Sequence, residues 1–226
     1  MKTYFITFFI VLLSCNKQQN QHLSQKINGS KIQQNTMETF DIERFNKNKD
    51  EEGNYIYTTN DGYTVEESGG LNDGGFIKIK YKAADDFRDF FRFFSSGKLK
   101  IQGRFYHNEF DCNTWSYYDE QGELDKKVDY DQPFVFHWDK IKAYLTQHEC
   151  DLEKDIIRVS RYTDENTPPF WELEFNGKYK KIKGRFVIKL DGVTGEEIIV
   201  KQFLGKKTVG KSGTTADYKI LLNKEG

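Results

Sequence analysis

From Asn54 onward the chain alternates apolar and polar residues with the period of two that marks β-strands. Tyr55 and Tyr57 alternate, Asn60-Asp61-Gly62 breaks the run as a turn, and Tyr63 and Val65 resume it. Ser68-Gly69-Gly70 and Asp73-Gly74-Gly75 interrupt again. Ile77, Ile79 and Tyr81 then fall on one face of a strand, with Lys78, Lys80 and Lys82 on the other. A phenylalanine-dense run, Phe87 to Phe94, turns at Ser95-Ser96-Gly97 into Leu99-Lys100-Ile101. After Asp131-Gln132-Pro133 the period changes. Trp138, Ile141, Tyr144, Leu145 and His148 recur at three and four, which predicts one amphipathic helix of about 12 residues within 137–149. Strand-like runs return at about 156–162, 170–176, 182–190 and 197–203, the last two joined by a hairpin turn over Asp191-Gly192-Val193-Thr194-Gly195. Tyr218 to Leu222 reads as a last strand within a tail over 204–226.

An internal echo runs through the first half. Phe93-Phe94-Ser95-Ser96-Gly97-Lys98-Leu99 is followed by Trp115-Ser116-Tyr117-Tyr118-Asp119-Glu120-Gln121-Gly122-Glu123-Leu124, so that Gly97 and Gly122, like Leu99 and Leu124, stand 25 residues apart. Tyr57 with Gly62 reads as a degenerate earlier copy. Such self-similarity predicts stacked hairpins. The Trp115, Tyr117, Tyr118, Asp119, Gly122, Leu124 pattern resembles the MORN-like repeats of bacterial antitoxin-type proteins. In the second half, Trp171-Glu172-Leu173-Glu174, Phe186 to Asp191 and Thr194-Gly195-Glu196-Glu197-Ile198 resemble a PepSY-like domain, with Leu190 where isoleucine is usual. That resemblance implies a non-catalytic envelope module, some of whose relatives inhibit peptidases. The expected fold class is α+β: a mainly antiparallel β meander of stacked hairpins over 54–132, then a helix with an antiparallel sheet over 133–203.

The N-terminus has a different pattern. Lys2 precedes nine residues, Phe5 to Leu13, that are apolar except for Thr7. That is well short of the roughly 20 needed to span a bilayer but suits the apolar region of a secretion signal. Leu12-Leu13-Ser14-Cys15 resembles the bacterial lipobox. The resemblance implies cleavage before Cys15, acylation of that cysteine, and a lipid anchor made firm by about 0.8 kcal/mol for each buried CH₂. Residues 16–36, rich in Gln and Asn, have little to bury. With the charged stretch up to residue 53 they are expected to form a flexible tether. Localisation is then the cell envelope, with the anchor in the inner or outer membrane and the body in the periplasm or at the cell surface.

Charge adds an exclusion. The chain carries 34 basic and 35 acidic residues, and Lys2 is the only charge among the first fifteen, so the mature chain carries −2. No basic surplus marks a nucleic-acid partner. Besides Cys15 there are Cys112 and Cys150, which in an oxidising compartment can form a disulfide or remain two separately packed thiols. The four histidines, His22, His107, His137 and His148, show no zinc-ligand spacing. His107-Asn108-Glu109 with Asp111-Cys112 reads as a solvated hairpin tip rather than a metal site. No nucleophile elbow or phosphate loop is present, so no enzyme, cofactor or metal is expected.

Two functions from different classes remain. The first is a monomeric envelope lipoprotein that binds another protein, in its most concrete form an immunity or antitoxin-type inhibitor of a toxin or peptidase. The second is an envelope-maintenance lipoprotein that binds a small molecule, glycan or peptide. For the first, aromatic residues favoured at interface hot spots single out Phe105, Tyr106, Phe110, Trp115, Tyr117 and Tyr118, some of which are expected to lie on an exposed partner surface. Period-two alternation puts Trp115 and Tyr117 on one face and Tyr118 on the other.

Overall fold

The computed structural model describes residues 37–70, 72–106, 109–164, 166–209 and 213–225. The expected signal, Cys15 and residues 16–36 lie outside them. The described chain forms two antiparallel sheets and two short helices. The first sheet is a meander of β1 (Asn54–Thr58), β2 (Thr64–Ser68), β3 (Phe76–Tyr81), β4 (Phe87–Phe93), β5 (Leu99–Tyr106), β6 (Phe110–Tyr118) and β7 (Leu124–Asp129), paired in sequence order. The second pairs β8 (Ile156–Tyr162), β9 (Phe170–Tyr179), β10 (Ile182–Asp191), β11 (Glu197–Val209) and β12 (Gly213–Asn223), again in order. The expected α+β class holds in this coarse form.

The turns explain the echo. The N–H of Phe94 donates to the carbonyl of Lys98 while that of Gly97 donates back to Phe94. Asp119, Glu123 and Gly122 repeat the pattern, as do Thr59, Tyr63 and Gly62. Each glycine has a positive φ, at 81°, 93° and 82°, the left-handed residue that closes a three-residue hairpin loop. In a meander, alternate turns lie at opposite ends of the sheet. Gly97 and Gly122 therefore share one end and Gly62 lies at the other. Gly62 thus keeps the turn of the later copies, at the opposite end of the sheet, while Gly74, also at positive φ, stands at the shared end. Leu99 is buried at 1% exposure and Leu124 is 49% exposed, because β7 is an edge strand.

The tether is shorter than expected. Asp41 caps α1 (Ile42–Asn48), its carboxylate accepting the Arg44 N–H at 2.9 Å. Phe40 and Phe45, the aromatic residues of a charged stretch, pack with Phe76, Phe93 and Leu99 into a small core. The expected tail is also structured: β11 continues to Val209 and β12 pairs along it.

In β3 the alternation holds, but it is the lysine face that is covered. Lys78 lies over the small core at 8% exposure, with its ammonium 2.9 Å from Glu38 and 3.7 Å from Glu67. Its four-carbon stem packs apolar surface while the charge finds partners. Ile77 and Ile79 face the opposite way and are half-buried.

The expected helix is α2 (Trp138–Gln147), with Trp138, Ile141 and Leu145 buried. It ends where Glu149, at φ 57°, takes the left-handed position, with Cys150 N–H donating to Leu145 and Glu149 N–H to Thr146. The helix packs on Leu173, Phe175, Phe186, Ile188 and Val200 of the second sheet, and the same core takes in Tyr106, Phe110 and Cys112 of the first. The change of period at Pro133 separates two sheets that share this core, not two separate cores.

Candidate functional site

Both cores lie on one face of the seven-stranded sheet. The cross-strand register places Ile56, Ile77, Ile79, Phe90, Phe105 and Trp115 on the opposite face, and none of them belongs to either core. At its centre is Gly103. A Cβ there would come within 2.1 Å of Trp115 Cδ2, so the indole lies flat over the glycine. Its Nε1–H donates to the Arg104 carbonyl at 3.0 Å. Phe90 stacks on Trp115, with centroids 5.4 Å apart, and Phe105 meets Phe90 edge-on. A strand glycine marks close approach of another group, here a side chain from the neighbouring strand.

Beside this stack lies a recess of about 310 Å³, floored by Ile79, Phe90, Phe105 and Trp115 and rimmed by Glu109 and Asp111. Its volume is at the small end of the roughly 300–1,000 Å³ found for ligand pockets. Asp111 is half-buried beside Phe105. Burial pushes its carboxyl above the usual range, with Arg161 pulling the other way. Arg161 does not pair with that carboxylate: its Nη1 meets Asp131 at 2.8 Å and its Nη2 donates to the Asp111 backbone carbonyl.

Of the six residues among which an exposed partner surface was expected, four are buried and two, Tyr117 and Tyr118, are half-buried. Tyr106 and Phe110 belong to the main core, where each ring meets Trp138. Phe105 and Trp115 are 5% and 9% exposed, closed over by each other and by Phe90 rather than by another layer. Tyr117 is half-buried on the open face, where burial and neighbouring Tyr130 push its hydroxyl up to about 12. Tyr118 takes the other face and packs against the small core, accepting from Gln102 Nε2 at 3.1 Å. The aromatic surface is thus a recess, and Phe105, Phe110 and Trp115 are the three expected residues that line it. Ile79, Phe90, Gly103 and Asp111 were not among those expected, although a glycine inside a strand was a visible signal.

Cys112 and Cys150 are free, not a disulfide: each is packed separately among the apolar side chains of the main core. Burial pushes their thiols up to about 12 and about 11, which leaves them protonated and unreactive at neutral pH. A second polar cluster fastens α2 to its sheet. Tyr144 and Tyr179 donate their hydroxyls to the two oxygens of Glu197, both at 2.7 Å, and His148 lies between the two rings. Every member is taken up in holding the helix down. Among the described residues no group of three His, Cys, Asp or Glu could hold a metal ion. His107 and Asn108 of the hairpin tip lie outside those residues. No described helix is long and apolar enough to cross a membrane.

No family model, curated protein or solved structure matches the chain.

Proposed function

We propose that the chain is a lipid-anchored envelope protein that binds another protein through the open face of its seven-stranded sheet. The observation that carries this reading is the uncovered row of Ile56, Ile77, Ile79, Phe90, Phe105 and Trp115, which neither core uses. Contiguous apolar surface rimmed by polar groups marks interaction sites on proteins of this kind. Ile56, at 65% exposure, stands on the same face beyond Glu66, which lies between it and Ile79. The anchor rests on Leu12 to Cys15, and the immunity or antitoxin-type version on the MORN-like run Trp115 to Leu124 and the PepSY-like second half. An aromatic recess of about 310 Å³ also favours a second reading, an envelope protein that binds a small ligand.

The test uses the full-length protein in its host envelope, with a photo-crosslinking amino acid at Ile56 or, as control, at Leu204 on the second sheet. A discrete protein adduct from Ile56 and none from Leu204 is expected. Equal adducts from both, or none from either, reject the face as a protein interface. In the same cells Cys15→Ser should leave the membrane fraction or retain its signal. Wild-type fractionation of that variant rejects the anchor.

A further inference from the structure

We propose that the recess beside Trp115 holds a cationic side chain of the partner, a guanidinium or an ammonium. This rests on the reading of the open face as a protein interface and names the chemistry the face selects. The floor is aromatic, lined by Phe90, Phe105 and Trp115, with Phe90 stacked on Trp115 at 5.4 Å and Phe105 edge-on to Phe90. Aromatic faces attract cations through their quadrupole, and the attraction grows once water is excluded. Among the described residues the rim supplies two carboxylates, Glu109 and Asp111, and no cation. Asp111 is partly desolvated, and its carboxylate has no ion pair within 4 Å among the described residues.

Two cations of the chain that neighbour the site are turned elsewhere. Arg88, across the strand pair from Phe105, lies over the Tyr81 ring at 4.1 Å. Arg161 spends its guanidinium on Asp131, on the Asp111 carbonyl, and on the rings of Phe110, Phe134 and Trp171. A desolvated carboxylate beside an aromatic floor is half of a charge-assisted contact. A guanidinium completes it with hydrogen bonds to Asp111 and cation–π contact with the aromatic floor. A plain apolar side chain would fill the volume and bury the Asp111 carboxylate without a partner.

The test uses the full-length lipidated protein in detergent micelles, with fluorine on its three tryptophans. The probes are N-acetylarginine amide and its neutral isostere N-acetylcitrulline amide. The Trp115 resonance, assigned with Trp115→Phe, should shift saturably with the arginine probe while Trp138 and Trp171 stay in place. Citrulline should bind about tenfold more weakly, the loss expected when a charge-assisted hydrogen bond becomes a neutral one. Asp111→Asn should weaken arginine by a similar factor and leave citrulline unchanged. The Trp138 and Trp171 resonances report whether that variant is folded, and Glu109→Gln with a salt titration replaces it if it is not. An unmoved Trp115 resonance, equal binding of the two probes, or arginine binding that ignores both substitutions overturns the proposal. So does a Trp115 shift driven by protein concentration alone, which would mean a second copy occupies the face. If the Ile56 adduct persists while the arginine probe fails, the interface stands and the cationic ligand falls. If both fail, the interface falls too.

Discussion

Gly103 allows one aromatic residue to settle on a sheet face that has no second layer. Its missing side chain leaves the space that the Trp115 indole fills, and Trp115 in turn supports Phe90 and shelters Phe105. A methyl group at 103 would meet three ring carbons between 2.1 and 2.5 Å away, so the indole must leave. Gly103→Ala should cost about 1–3 kcal/mol, the range for overpacking a well-filled site. It should also move tryptophan emission to longer wavelength as the ring enters water. A urea midpoint and an emission maximum both equal to wild type would show that the indole does not depend on the glycine. The same contact shows how far single residues could be read in advance. Trp115 and Phe105 stood out as aromatic, and Gly103 as a glycine within a strand. Their mutual contact was not legible, because the β-bulge that brings Trp115 over Gly103 shifts the pairing between β5 and β6 by an amount no local pattern records. Glu149 is a similar case: a left-handed helix stop is read from glycine, and here a glutamate occupies it.

At the scale of elements, the sheet end that carries the Gly74, Gly97 and Gly122 turns is fastened by Asp73. Its carboxylate takes Lys100 Nζ and Arg92 Nη2, each at 2.9 Å, and the Gly75 N–H at 3.1 Å, tying the β2–β3 turn to β4 and β5. The hydrogen bond from Lys100, then that from Gly75, and the charge of Arg92 hold its carboxyl at about 2, against an ordinary 3.8. A depressed carboxyl contributes stability that is present above the unfolded value and lost as the folded form takes up its proton. The wild-type denaturation midpoint should therefore fall as pH drops from about 4 to about 2, and Asp73→Asn should flatten that part of the profile. Identical profiles for the two proteins would show that the turn is not held by this charge. The strands and α2 were legible because period two and period 3.6 survive in their sequences. Three features were hidden. Residues 37–53 look like solvated charge, yet Phe40 and Phe45 are enough to dock them. The first half of β12 runs through Gly-Thr-Thr-Ala-Asp at an edge with little to bury, so only its second half, Tyr218 to Leu222, could be read as a strand. The covered face of β3 carries lysines, because a lysine stem packs like a short aliphatic chain.

For the whole molecule, the question is whether two sheets make one folding unit. The main core draws Tyr106, Phe110 and Cys112 from the first sheet, Trp138, Ile141 and Leu145 from α2, and Trp171, Leu173, Phe175, Phe186, Ile188, Leu190 and Val200 from the second. Arg161 reinforces the junction. From β8 it reaches Asp131 and the carbonyl of Asp111, both outside its own sheet, while its guanidinium lies against Phe110, Phe134 and Trp171. Only 7% of its side chain is exposed, so its loss would leave those acceptors facing a void. The other core of the first sheet, built on Phe40, Phe45, Phe76, Phe93 and Leu99, is too small to sustain seven strands, since burying such a side chain contributes about 1.5–3 kcal/mol against about 1–2 kcal/mol of backbone entropy for every residue ordered. The first sheet should therefore have no stable fold without the second. Urea unfolding followed by tryptophan emission and by far-ultraviolet dichroism should give one coincident transition. Arg161→Gln should lower both readouts together by about 2–3 kcal/mol, the scale of a buried charge-assisted contact. Hydrogen exchange should open β3–β6 and β8–β10 at the same free energy, with α1 and the β12 edge fraying first. Two separated transitions, or an Arg161→Gln variant that loosens one sheet and spares the other, would mean that the change of period at Pro133 divides two independent domains after all.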